Sequence, residues 1–238
     1  MQTTAGSWSL LGNQPDQDAH VVSLLHKSGA IIVGHSNMSE WASVRSRQYS
    51  TGYSPRGGQT RNPYDLSSSP YGSSSGSAVA VSANIVPVAF GTETDTSIIG
   101  PASTNGVVGI KPTVGLTSRR GVIPISRNLD SVGSFGRTVA DAVHGLDAIV
   151  GHDPHDSQND VLGEKQEKNY SQFLSTKDVL RGTTFGVPQL RCWQLVPEEL
   201  RSVAKKVLDA MESWGARIIQ CEIPSAEERI DVDGGWNW

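Results

Sequence analysis

Apolar residues fall along this chain in short blocks separated by turns rich in glycine, serine and proline. Gln17 to Ser28 places Val21, Val22, Leu24 and Leu25 on one helical stripe, with Asp16 as the candidate N-cap and Gly29 as the stop. The next block, Ala30-Ile31-Ile32-Val33-Gly34, reads as a short buried strand. A helix–glycine–strand unit of this kind predicts an α/β layer fold. Asp130 to Gly133 leads into a second helix, Thr138 to Val150, capped through Arg137-Thr138 and ended at Gly151. Pro197 to Trp214 has the strongest amphipathic pattern, with Leu200, Val203, Val207, Leu208 and Met211 turned inward. Strands are expected at Val86 to Phe90, within Ser103 to Thr113, within Gly115 to Ser126, at Thr183 to Val187 and at Ala216 to Ile223. A short helix is expected at Asn37 to Ala42. Residues 1–16 read as loop, and Arg45 to Ser69 as a surface loop long enough to rim a substrate site. Gly151 to Tyr170 reads as a long surface connection, and Ser225 to Trp238 as a polar tail that closes no element.

One stretch, Ser69 to Pro101, carries most of the chemistry. A turn, Gly72-Ser73-Ser74-Ser75-Gly76-Ser77, runs into a small-residue helix, Ala78 to Ala83, and then the strand at Val86. A second turn, Gly91-Thr92-Glu93-Thr94-Asp95-Thr96-Ser97, follows. Two serine-bearing turns flanking one helix and one strand are able to meet, which would bring Ser73 and Ser97 together. A Ser/Gly cluster is commonly a flexible linker, but this one enters core-like sequence at once. A phosphate loop is excluded because Ser77 stands where GxxxxGK[ST] needs lysine. Two serine chemistries remain. Gly72-Ser73-Ser74-Ser75-Gly76 matches a nucleophile elbow centred on Ser74, which requires a preceding strand and a partner pair such as Asp141 with His144 or His155. The other is a relay of two serines to a neutral lysine, since a serine hydroxyl is a weak nucleophile until a base sits beside it.

The second arrangement resembles the amidase signature family. Gly72–Ser77 resembles its Gly/Ser loop, Gly91–Ser97 its GTDxGGS turn, and Gly109-Ile110-Lys111-Pro112-Thr113 its GxKPT segment. Asn37–Trp41, Gly58–Pro63 and Arg137–Asp141 also resemble it, and the loop and turn are most similar to those of the peptide-amidase-like branch. The resemblance implies an α/β fold with a mixed central β-sheet flanked by helices. It implies one partial amidase domain over 1–238, with its core signature at about 69–113 and an atypical tail at 225–238. It implies hydrolysis of a carboxylic or peptide amide, with no metal and no cofactor. Ser97 would be the nucleophile and Ser73 the bridging serine, held in a cis peptide. The backbone N–H groups of Thr94, Asp95, Thr96 and Ser97 would form the oxyanion hole, and Met38 and Ser74 would contact substrate. Thr96 stands where the family has glycine, and a β-branched residue tolerates a positive φ badly. The family's lysine lies upstream of the segment matching Thr3–Ser7, so it is expected to be missing from these residues. Lys27 reads as the exposed face of a helix and Lys111 belongs to GxKPT. The family is about twice this length, so both ends are expected to be clipped, and an inactive homologue stands as the alternative.

Composition narrows the partners. A net charge of −4 and pI of about 5.8 give no reason to expect nucleic acid or an anionic membrane as partner. No apolar run is long enough for a membrane span. Cys192 and Cys221 make neither a disulfide framework nor a metal pattern, and with no signal-like start a cytoplasmic setting is expected. The run His152, Asp153, His155, Asp156 is read as solvated side chains rather than a metal site. The expected partner is a small-molecule or peptide amide, with oligomeric state left open.

Overall fold

The computed structural model describes residues 1–46, 48–163, 167–190 and 192–229. Most of the tail beyond Ser225 lies outside the described residues. The chain divides into two compact units, Met1–Phe173 and Leu174–Trp238. It is an α/β protein.

The first unit contains helix α1 (His20–Lys27), hairpin strands β1 (Tyr53–Ser54) and β2 (Gly58–Gln59), helix α2 (Ser75–Ser82), strand β3 (Val88–Glu93), helix α3 (Ile99–Thr104), strands β4 (Val108–Ile110) and β5 (Ser131–Gly136), and helices α4 (Val139–Ile149) and α5 (Ser157–Leu162). Its sheet has the order β3–β5–β4 and is antiparallel throughout. The central strand β5 reads Ser-Val-Gly-Ser-Phe-Gly and is buried along its whole length. One face presents Phe135 to Ala78 and Val81 of α2, to Ala102 of α3 and to Ile98 just before it. The other presents Val132 to a cluster of Val21, Leu25, Leu146, Ile149 and Val150 from α1 and α4. The sheet is therefore covered on both sides, and its strands need not alternate polar and apolar residues. β5 shows neither alternation nor a continuous apolar run, because serine and glycine fill all but two of its positions, so the sequence pattern gives no sign of it. Its glycines admit close approach: a Cβ on Gly133 would collide with the carbonyl oxygen of Ile110 on the neighbouring strand.

Several other expectations change. Helix α1 begins at His20 with Ala19, not Asp16, in the N-cap position, and the His20 N–H donates to Arg120 O at 3.1 Å. A tertiary contact thus does the work expected of a local cap. Ala30–Gly34 is not a strand: Ile31 is 92% and Val33 77% exposed, because no described segment pairs with it. Only Ile32 of that run reaches the core. Asn37–Ala42 is not a helix, since Trp41 and Ala42 take left-handed φ of +51° and +52°, and Gly115 to Ser126 holds no strand beyond a lone bridge from Thr117 to Val150. Helix α4 starts as read, with Thr138 and Asp141 forming a reciprocal capping box. Gly151 to Tyr170 is not simply a surface connection. It contains α5, and Asp153, Asp156 and Asn159 are buried.

The second unit pairs β6 (Thr184–Pro188) with β7 (Arg217–Cys221) in parallel, joined through helix α6 (Glu198–Ser213), and α7 (Ala226–Arg229) follows. The face of α6 expected to turn inward is split. Leu200, Val203 and Val207 are exposed, whereas Leu208 and Met211 are partly covered.

Candidate active site

The Gly72–Ser77 turn closes on three neighbouring segments. Ser74 N–H donates to Ser97 O at 3.2 Å, which joins the two serine-bearing turns directly. Ser39 N–H donates to Ser73 O at 3.0 Å, and Gly76 N–H donates to Asn37 O at 2.9 Å. A Cβ on Gly76 would strike the Asn37 backbone, so this approach requires glycine. Asn37 is itself fixed, with Nδ2 donating to Gly58 O at 2.9 Å and Thr60 Oγ1 at 3.0 Å. Its Oδ1 accepts from Ser54 Oγ at 2.7 Å. Met38 lies between these two anchored residues in the chain and is half-buried. The cis peptide bond expected before Ser73 is present.

The candidate serines have different surroundings. Ser73 is 2% exposed, and its Oγ has no hydrogen-bond partner among the described residues. Ser97 is at the edge of burial, and its Oγ donates to Asp95 O at 3.3 Å, within its own turn. No hydrogen bond joins the two hydroxyls among the described residues. Ser74 is committed elsewhere: its Oγ donates to Thr92 O at 3.1 Å and accepts from Thr92 N–H at 3.2 Å. It bridges the start of α2 to β3, and no described strand runs directly into it, the preceding strand β2 ending at Gln59. Asp141, the distant partner that an elbow would need, is bound into the α4 capping box. The elbow arrangement with Ser74 is therefore not assembled.

The second turn leaves the end of β3 and enters α3. Glu93, to which the sequence assigns no role, is buried there. Its Oε2 accepts the N–H groups of Ile98 at 2.5 Å and Ile99 at 2.9 Å. That carboxylate folds the turn back on the strand and satisfies the first donors of α3. Among the described residues, the N–H groups of Thr94, Asp95, Thr96 and Ser97 have no acceptor. A row of unpaired donors on one tight turn, next to a serine, is suited to holding a negatively charged oxygen. Thr96 takes φ +56°, the left-handed region, where its Cβ is strained. Its side chain is exposed, so Thr96→Gly removes the strain without opening a cavity. The expected gain is about 0.5–1 kcal/mol in stability, read as a higher urea midpoint at unchanged slope. A lower midpoint would contradict it.

Other residues without a sequence signal support these turns. Asn105 is fully buried and its Nδ2 donates to Pro70 O at 2.7 Å and Pro101 O at 2.8 Å, tying α3 to the segment before the first turn. Nothing in its immediate sequence signals this role. No group of His, Cys, Asp or Glu among the described residues could hold a metal. Asp153 and Asp156 instead bind Arg120 and Arg119, while His152 pairs with Asp160. Cys192 and Cys221 are free thiols. No helix among the described residues is long and apolar enough to cross a membrane.

Known proteins resemble this chain along most of its length. The family model described as Amidase matches residues 1–235. A probable amidase of Arabidopsis thaliana is 55% identical over 188 residues, covering 79% of this chain and 36% of that protein. The native peptide amidase of Stenotrophomonas maltophilia superposes with a TM-score of 0.88 at 45% identity, covering 94% of this chain and 45% of that one. A glutamyl-tRNA(Gln) amidotransferase component from Aromatoleum aromaticum is 38% identical over 231 residues, covering 96% of this chain and 46% of that protein. The chain belongs to the amidase family. It spans less than half the length of these relatives.

Proposed function

We propose that this chain carries the nucleophile and oxyanion site of a hydrolase acting on a carboxylic or peptide amide. The observation that carries this reading is the pairing of two features. The Thr94–Ser97 turn offers N–H groups without acceptors, and beside it the buried Ser73 hydroxyl has no partner among the described residues. A buried hydroxyl without a partner costs stability, and a proton relay is one use that would retain it.

In this reading Ser97 Oγ attacks the amide carbon, and its proton passes to Ser73 Oγ as Ser73 passes its own to a neutral lysine amine. No described residue bonds Ser73 Oγ, so that lysine would come from polypeptide outside the described set. The tetrahedral oxygen anion rests on the turn N–H groups. Collapse breaks the C–N bond, and the nitrogen leaves as ammonia or an amine after taking a proton back through the serines. Water then attacks the acyl-serine by the same relay and releases a carboxylic acid. Likeness to a peptide amidase supports small amides or peptide amides as substrates.

The test is release of ammonia from a simple carboxamide and from a peptide amide by the protein purified from its source. Ser97→Ala is expected to lower the rate by about 10⁴-fold or more. Turnover that survives Ser97→Ala rejects this assignment. Absence of turnover in the unaltered protein favours an inactive homologue.

A further inference from the structure

The turn that carries Ser97 is held from two directions. Glu93 grips its far end through Ile98 and Ile99. The near end is held by a side chain on another strand. Strands β3 and β5 are paired in register as far as Glu93 opposite Ser131. One step beyond that ladder, the cross-strand neighbours are Thr94 and Asp130. Thr94 Oγ1 donates to Asp130 Oδ1 at 2.5 Å. Asp130 Oδ2 accepts the N–H groups of Ile125 at 2.8 Å and Ser126 at 2.9 Å. Both carboxylate oxygens are therefore used, one on the turn and one on the loop that precedes β5.

Residues of that loop and of the turn line one cavity of about 340 Å³, among them Thr92, Thr94, Ile123, Ile125 and Asp130. Thr94 is the first residue of the run whose N–H groups have no acceptor. A hydrogen bond to a carboxylate is stronger than one between neutral groups, so this contact anchors the first residue of the run.

We propose that Asp130 is a positioning residue. Its carboxylate, acting through Thr94 Oγ1, fixes the Thr94–Ser97 turn against the 125–126 wall, so that the turn's N–H groups converge on one point. Asp130 does not touch the reacting atoms. The kinetic part of the test rests on the amide-hydrolase reading, and the exchange part does not.

The first measurement is amide hydrogen exchange of Ile98 and Ile99 in Thr94→Val, an isosteric change that removes only the hydroxyl. Neither N–H bonds Thr94, and their acceptor Glu93 is unchanged. Their exchange is expected to quicken about 10-fold, with α4 unaltered, and Thr94→Ser is expected to recover most of the protection. The second is kinetics. Thr94→Val and Asp130→Asn should each lower kcat about 10–100-fold with KM within about 2-fold, because donor alignment matters chiefly in the transition state. The double variant should be no slower than the slower single variant, since both remove one contact. Unchanged exchange at Ile98 and Ile99, losses that multiply in the double variant, or an effect confined to KM would each overturn the proposal. A protein with no Ser97-dependent turnover defeats the amide reading alone, and the exchange result then decides the role of Asp130.

Discussion

Ser73→Ala is expected to lower kcat for amide hydrolysis by about 10²–10⁴-fold while leaving the fold as stable as before or slightly more so. The two halves of this expectation have separate causes. The rate falls because Ser97 loses the hydroxyl that would carry its proton away. Stability holds because Ser73 Oγ is buried and makes no hydrogen bond among the described residues, so its removal breaks none and relieves a desolvation cost. Ser39 N–H, Ser73 O and the contact between Ser74 N–H and Ser97 O all belong to the backbone and survive the change. The check is kcat beside a thermal melt on the same preparation. A drop in both would make Ser73 a structural residue, and an unchanged kcat would remove it from the relay.

Asp153→Ala is expected to cost on the order of 3 kcal/mol in stability, measured by urea or thermal unfolding. The carboxylate is fully buried. Its Oδ2 accepts from Ser118 Oγ at 2.6 Å and Arg120 Nε at 2.8 Å, and its Oδ1 accepts from His155 N–H at 3.0 Å. Truncation strands all three donors. The neighbouring Asp156 binds the Arg119 guanidinium through both oxygens, at 2.9 and 3.1 Å, and takes the Arg119 N–H at 2.7 Å. Burial pushes both carboxyls toward higher pKa. The hydrogen bonds from Ser118 and Arg120 to Asp153, and from Arg119 to Asp156, outweigh it and bring each from 3.8 down to about 2.

The sign of the pH dependence follows. Between the unfolded value near 4 and the folded value near 2, the unfolded chain binds protons that the folded chain does not. The contribution of the two carboxylates is therefore complete above about pH 4 and is lost as pH falls toward 2. Burial lowers the pKa of His20, so the folded state also resists protonating it, and a shallower loss begins as pH drops below its ordinary 6.5. The unfolding midpoint should fall most steeply from about pH 4 to about pH 2.5. A midpoint that stays level across that interval would show that these pairs contribute nothing.

Where sequence and structure agree, the signal is local. The Thr138 start of α4 is legible because its cap is built from Thr138 and Asp141, three residues apart. Helix α2, strand β3 and the joining of the Ser73 and Ser97 turns follow from apolar blocks punctuated by glycine and serine. The left-handed strain at Thr96 follows from a threonine standing where a glycine is usual.

Where they disagree, the deciding partner is distant in the chain. β5 carries no strand pattern because serine and glycine fill all but Val132 and Phe135, and its Gly133 and Gly136 are dictated by Ile110 on a neighbouring strand and by Asp141 and Ala142 on the helix that follows. Ala30–Gly34 has strand composition but no described strand beside it, and β-structure needs a second backbone to satisfy its donors and acceptors. Asp153 and Asp156 read as loop charges, yet Ser118, Arg119 and Arg120, more than thirty residues away, draw them into the interior.

The order of residues alone settles the fold class, the family and the two serine-bearing turns, because each is written in contiguous residues with fixed spacing. Which of those serines is free is a matter of three dimensions. Ser74 is consumed by the Thr92 backbone, whereas Ser73 keeps an unpaired hydroxyl among the described residues. The contacts of Glu93 and Asp130 at the two ends of the Ser97 turn likewise exist only once the chain is folded. A hydroxyl or carboxylate takes its function from the donors and acceptors packed around it, and packing, not spacing, brings those together.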